Sequence, residues 1–178
     1  LAQVCALLNE AGARYVLVGA RALQLWGSSR ATRDIDILIE PTVDNAKRVL
    51  SALSQVGFGL ASEWLAEEVA AKPVTIIGDT PRVDILTVAW SVHFREAHPS
   101  ATIFTLESVE IPTISIEHLI ASKRTGRLQD AADIEVLDHH PPAGAQGGGH
   151  GPQGAVPCGE VRQHQSGVHE VVGIGGRL

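Results

Sequence analysis

Asp34 and Asp36 stand two residues apart in the run DIDILIE (34–40), and Asp84 stands in a second run of the same kind, RVDILTV (82–88). Strand residues alternate between faces, so Asp34 and Asp36 point the same way, with Cα atoms roughly 6–7 Å apart. Ile35, Ile37 and Ile39 then enter the opposite layer, and Val83 and Ile85 flank Asp84 in the same manner. A carboxylate inside a β-branched strand is costly to bury unless it is paired, hydrogen-bonded or bound to a cation. Three aspartates converging from neighbouring strands repel one another, and divalent ions remove that penalty. Oxygen-only ligands favour Mg²⁺ or Mn²⁺ over zinc. The alternative is that Asp34 opens its strand in solvent while Asp36 and Asp84 lie on an exposed sheet face, and the tripeptide alone does not exclude it. Upstream, the run YVLVG ends in Gly19 at a strand-to-helix junction, where a phosphate could approach backbone N–H groups. Arg21, Arg30 and Arg33 gather positive charge nearby; a tight turn at Gly19 and a solvated arginine surface are the other reading of these residues.

The elements that must position these groups alternate helix and strand. Residues 2–11 place Val4, Leu7, Leu8 and Ala11 on one helical face, and Gly12 can close the helix. Residues 15–19 form a short apolar strand, 20–27 a helix, and 34–40 a strand that Pro41 ends. Residues 43–56 make an amphipathic helix with Val43, Ala46, Val49, Leu50, Leu53 and Val56 inward. PVTIIG (73–78) and RVDILTV, joined by Asp79-Thr80-Pro81, read as antiparallel strands around a short turn. Residues 101–106 and 109–114 are weaker strands. Ser115, three residues before His118, opens a helix to about 123–126, and 128–137 form another. The expected fold is α/β or α+β, with a small mixed sheet of about four or five strands flanked by helices.

Composition restricts the partners. The chain has 178 residues, 14 Lys+Arg against 20 Asp+Glu, a formal charge of −6, 44% hydrophobic and 19% charged residues. That balance is globular, and it argues against non-specific binding to a nucleic-acid backbone, which wants a basic face. No run approaches the roughly 20 apolar residues of a membrane span. Cys5 and Cys158 are too few for a disulfide framework, so a reducing, cytoplasmic setting is expected. The lack of Met and the start at Leu1 suit a fragment or a non-standard start codon. Residues 139–178 hold 11 of the 18 Gly and 4 of the 9 Pro, while residues 1–138 carry all the net charge. The chain therefore divides into a folded domain, 1–138, and a tail, 139–178, expected to be disordered or translated out of frame. Five tail histidines show no regular metal-ligand spacing.

VLVGARALQLWGSSRATRDIDILIE resembles the signature of nucleotidyltransferases with the DNA-polymerase-β-like fold, in particular the AbiEii or minimal nucleotidyltransferase group of bacterial and archaeal toxin–antitoxin systems. The corresponding residues are Gly19-Ala20, Asp34-Ile35-Asp36 and Asp84, and ISIEHLIASKRTGRLQDAADIEVL resembles the C-terminal helical segment of that group, with Lys123, Arg127, Asp130 and Asp133 at matching places. The resemblance covers about residues 1–138. Ala20 departs from it, standing where the group usually has a second Gly or Ser.

This resemblance implies two Mg²⁺ or Mn²⁺ ions held by Asp34, Asp36 and Asp84, the catalytic carboxylates, with Asp84 the candidate general base. The reaction would move a nucleoside monophosphate from a triphosphate such as ATP to a hydroxyl on a protein, RNA or small molecule. Gly19, Ala20 and Ser28 would line the triphosphate, Thr32 or Arg30 would brace the loop, and Lys123 could reach a phosphate. An exposed helical lysine needs no such role, and Asp130 and Asp133 read otherwise as a solvated helix face or partners of Arg127. The implied partners are a cognate toxin or antitoxin protein, or a tRNA acceptor. A non-catalytic binding component of such a system, or an inactive remnant of the fold, is the alternative.

Overall fold

A computed structural model describes residues 1–139 and 156–157 of the chain. Six strands of the first segment build one mixed sheet: β1 (Tyr15–Val18), β2 (Ile35–Ile39), β3 (Val74–Ile77), β4 (Val83–Leu86), β7 (Thr102–Leu106) and β8 (Val109–Thr113). Their order across the sheet is β3-β4-β2-β1-β8-β7. A two-residue hairpin pair, β5 (Val88–Ala89) and β6 (Val92–His93), stands apart as a second sheet. The helices are α1 (Ala2–Glu10), α2 (Gly19–Leu25), α3 (Val43–Leu53), α4 (Ala66–Ala71), α5 (Phe94–Ala97), α6 (Ile116–Ser122) and α7 (Leu128–His139), with a 3-10 turn at Leu60–Glu63. The mixed α/β class is thus as expected, with six strands in the main sheet rather than four or five. Of the tail, His139 ends α7 and Val156–Pro157 pairs antiparallel with Thr102 and Ile103 of β7. The remainder of the tail expectation lies outside the described residues.

The sheet's centre explains its sequence. β1 and β2 are antiparallel neighbours, and β4 runs parallel to β2 on its other side. Strands flanked on both sides and covered on both faces should read as near-continuous apolar runs. All four residues of β1 are buried, and β2 is buried at every position except Asp36. β4 keeps the alternation, with Val83 and Ile85 buried and Asp84 and Leu86 half-buried. Between β7 and β8 both Glu107 and Ser108 adopt positive φ, the backbone pattern of a two-residue type I′ turn.

α1 packs on α3 and β8, α2 on β1 and β2, and α5 on β1. Thr42 caps α3 by accepting from the Asn45 N–H, and Ser115, the helix start read from the sequence, caps α6 by accepting from the His118 N–H. Asn45, only 2% exposed, ties three segments together. Its side-chain oxygen accepts from the Arg14 N–H at 2.7 Å, and its amide donates to the carbonyls of Arg14 at 2.9 Å and Glu40 at 3.1 Å. Among the described residues no helix is long and apolar enough to cross a membrane.

Truncating this amide removes three hydrogen bonds: the Arg14 N–H is left without a partner, at about 1–3 kcal/mol, while the Arg14 and Glu40 carbonyls keep the Glu40 and Thr42 N–H groups. Asn45→Ala should therefore lower unfolding stability by about 2–4 kcal/mol in a urea titration; a loss under 0.5 kcal/mol would show that the start of β1 and the end of β2 hold together without it.

Candidate active site

Register places the acidic residues. Asp36 in β2 is the direct neighbour of Asp84 in β4 and, on its other side, of Val18 at the end of β1. Asp34 precedes β2 by one residue. The face that carries Asp36 also carries Asp84, and it opens into a cleft of about 450 Å³. Gly19, Lys123, Arg127 and Trp90 line the same cleft. Sequence alternation had Asp34 and Asp36 on one face; Asp34 lies just before β2 and is not among the residues that line this cleft.

Gly19 is required by this arrangement. Its φ is +65°, and a Cβ there would lie 2.1 Å from Asp36 Oδ2. A side chain at position 19 would both strain the backbone and evict the carboxylate. Ala20 follows it as a buried residue of α2. The small-residue pair therefore lets helix and strand approach until backbone and carboxylate nearly touch.

Burial, then the neighbouring Asp84 and Asp34 carboxylates, push the Asp36 carboxyl up from its ordinary 3.8 to about 6, against the opposing pull of Lys123 and Arg82. Asp84 has found a cation of its own: Arg82 Nε and NH2 donate to Asp84 Oδ1 and Oδ2 at 2.8 and 2.9 Å, a bidentate pair. Among the described residues no three of His, Cys, Asp and Glu group as a metal-ligand set. The three aspartates share a field, while Asp84 faces Arg82.

Lys123 corrects the reading of an exposed helical lysine. It is only 8% exposed, because α7 packs back on α6 and encloses its stem. Its ammonium donates to Asp133 Oδ2 at 2.7 Å and to Asp130 Oδ1 at 3.4 Å. Asp133, 5% exposed, also accepts from Arg30 NH1 at 2.5 Å. Asp130 accepts from the Thr125 hydroxyl as well. Asp130 and Asp133 are therefore neither a solvated face nor partners of Arg127: the local i, i+3 spacing that suggested Arg127 loses to ligands brought from α6 and from the loop before β2. Buried carboxylates take the cations they can reach.

The remaining residues of that loop brace it. Ser28 Oγ accepts from the Arg30 N–H at 3.2 Å, and Thr32 Oγ1 accepts from the Asp34 N–H at 3.3 Å, two short-range turns that aim the chain into β2. Neither hydroxyl lines the cleft, nor does Arg30; of the expected nucleotide-contacting residues, only Gly19 and Lys123 do. Arg21 donates to Gln24 on its own helix, and Arg33 is exposed. Trp90, which sequence reading passed over, lines the same cleft; a lone tryptophan beside Ser91, between Val88-Ala89 and Val92, was its only signal. No protein-family model matches the chain, and neither does any curated protein.

Two outcomes follow. The folded state binds a proton on Asp36 more tightly than the unfolded chain does. Ionising it therefore costs stability, which falls as pH rises from about 4 to about 6, by about 2–3 kcal/mol in all. Without divalent ions, Asp36→Asn should raise the melting temperature by several degrees above pH 7, with the gain vanishing near pH 4; a variant less stable at pH 7.5 would contradict this. Gly19→Ala should cost about 2 kcal/mol or more, and less in an Asp36→Ala background, where the carboxylate clash is gone but the φ penalty and a Cβ contact at 2.9 Å remain. Equal costs in both backgrounds would mean that Asp36 does not press on position 19.

Proposed function

We propose that residues 1–138 form a metal-dependent nucleotidyltransferase domain of the DNA-polymerase-β-like fold, similar to the minimal nucleotidyltransferases of toxin–antitoxin systems. It would move a nucleoside monophosphate from a triphosphate to a hydroxyl of a protein, RNA or small molecule. The observation that carries this reading is the meeting of Asp36, Asp84, the Gly19 turn and Lys123 in one cleft at the centre of the sheet.

The donor set suits hard cations: carboxylate oxygens, one of them held with a raised pKa by its like-charged neighbours. Asp34, Asp36 and Asp84 would hold Mg²⁺ or Mn²⁺, two ions in all, which when bound neutralise the triphosphate and lower the pKa of the attacking hydroxyl. Gly19 lacks a side chain where the Asp36 carboxylate fills the space, and its backbone is the candidate phosphate contact beside that carboxylate. Lys123 adds positive charge to the same cleft while Asp130 and Asp133 hold it in place. Asp84 is the candidate base that takes the acceptor hydroxyl's proton on a carboxylate oxygen, which requires Arg82 to withdraw from it. That bidentate pair also favours a second reading, a domain of this fold that binds a cognate partner without catalysis.

Mg²⁺ or Mn²⁺ should raise the melting temperature, and further with a nucleoside triphosphate present. Asp36→Asn should abolish that rise. With α-labelled triphosphates and candidate tRNA or protein acceptors, labelled product should appear and fall by orders of magnitude in Asp36→Asn. If Asp36→Asn binds Mg²⁺ and nucleotide as well as the parent does, the proposal fails. Metal-dependent nucleotide binding without product would select the second reading.

A further inference from the structure

Trp90 sits where the backbone least wants it. Ala89 pairs with Val92 across the β5–β6 hairpin, leaving Trp90 and Ser91 as a two-residue turn. Trp90 has φ +57°, and Ser91 is not among the residues of positive φ. Positive φ at the first central residue alone is the pattern of a type II′ turn, a position dominated by glycine. A bulky side chain held there costs stability. Nor is the cost offset by burial, because Trp90 is 63% exposed. The fold neither needs this indole nor hides it.

The indole instead borders the cleft that holds Asp36 and Asp84. The wall beside it is apolar, made of Val74, Leu86 and Val88, and Val74 is itself exposed. The same cleft holds the carboxylates, Lys123 and Arg127, with Asp84 two residues before Leu86 on the same face of β4. A ligand complementary to both halves is flat and aromatic at one end and anionic, with its counter-cations, at the other. The remaining tryptophans are committed elsewhere: Trp26 packs edge-on against Phe104 and donates to the Ile114 carbonyl, and Trp64 lies under the Lys72 ammonium.

We propose that Trp90 is the stacking platform of this cleft and holds a nucleobase, with Val74, Leu86 and Val88 as the apolar wall beside it. This rests on the nucleotidyltransferase reading and extends it by assigning the base-binding side. The base belongs either to the incoming triphosphate or to the terminal nucleotide of an RNA acceptor, and both stack through the same π-face.

The test compares the parent with Trp90→Gly and Trp90→Phe, using Mg²⁺ with ATP or CTP, inorganic tripolyphosphate, and a short single-stranded RNA with a free 3′ hydroxyl. Binding is read by calorimetry, and in the parent also by quenching of tryptophan fluorescence. Trp90→Gly removes the ring and relieves the turn, so its melting temperature should equal or exceed the parent's. Its affinity for the triphosphate, the RNA, or both should fall roughly tenfold or more while tripolyphosphate binds unchanged, and Trp90→Phe should recover most of the loss. Loss confined to ATP and CTP assigns the base to the incoming nucleotide; loss confined to RNA assigns it to the acceptor. If Trp90→Gly binds every probe as the parent does, or loses tripolyphosphate equally, the platform is refuted while the nucleotidyltransferase reading stands. If the parent binds none of the probes, that reading fails and the platform with it.

Discussion

The arrangement depends on one ionisable group, Asp36, placed in an otherwise buried central strand. Every other residue of β2 is buried. The strand can tolerate a carboxylate there only because its surroundings are shaped to it. Gly19 gives up its side chain so that the turn into α2 can pass, and the cleft opens the carboxylate to solvent on one side. Even so, burial and the Asp84 and Asp34 charges leave it holding its proton far more tightly than a free aspartate. A domain optimised only for stability would place an apolar residue here, as at Ile35 and Ile37. A charged position inside a good core is the kind of departure that the proposed cation site would require.

Cations already present offset part of that charge, each arriving from a different part of the chain. Arg82 comes from the start of β4 and clasps Asp84. Lys123 comes from the end of α6 and is itself locked by Asp130 and Asp133 of α7. Asp133 then reaches Arg30, in the loop that delivers Asp34 and Asp36. The network thus links the C-terminal helices to the loop before β2, and a disturbance of α7 should be felt at the DxD strand. Buried ion networks of this kind add little net stability, but breaking one partner leaves an uncompensated charge.

Much of this was legible in residue patterns. The apolar runs located all six strands of the main sheet, and register between β2 and β4 then sets Asp36 beside Asp84. What local pattern could not supply was tertiary pairing. Lys123 and Asp133 look like ordinary helix-surface residues until α7 folds back on α6. Ser28, Arg30 and Thr32 look like phosphate contacts because their types suit that role, yet their groups are taken up by turns and by Asp133. Residues 57–72 and 89–100 carry little periodicity, so α4, α5 and the β5–β6 hairpin passed unread, and Trp90 with them.

The most direct measurement is anomalous scattering from crystals soaked with Mn²⁺ and a non-hydrolysable nucleoside triphosphate. The account predicts Mn²⁺ at the Asp34, Asp36 and Asp84 carboxylates, with Arg82 withdrawn from Asp84 and phosphate density beside Gly19. Bound nucleotide or Mn²⁺ elsewhere on the surface, with the Arg82–Asp84 pair closed and Asp36 uncoordinated, would contradict it.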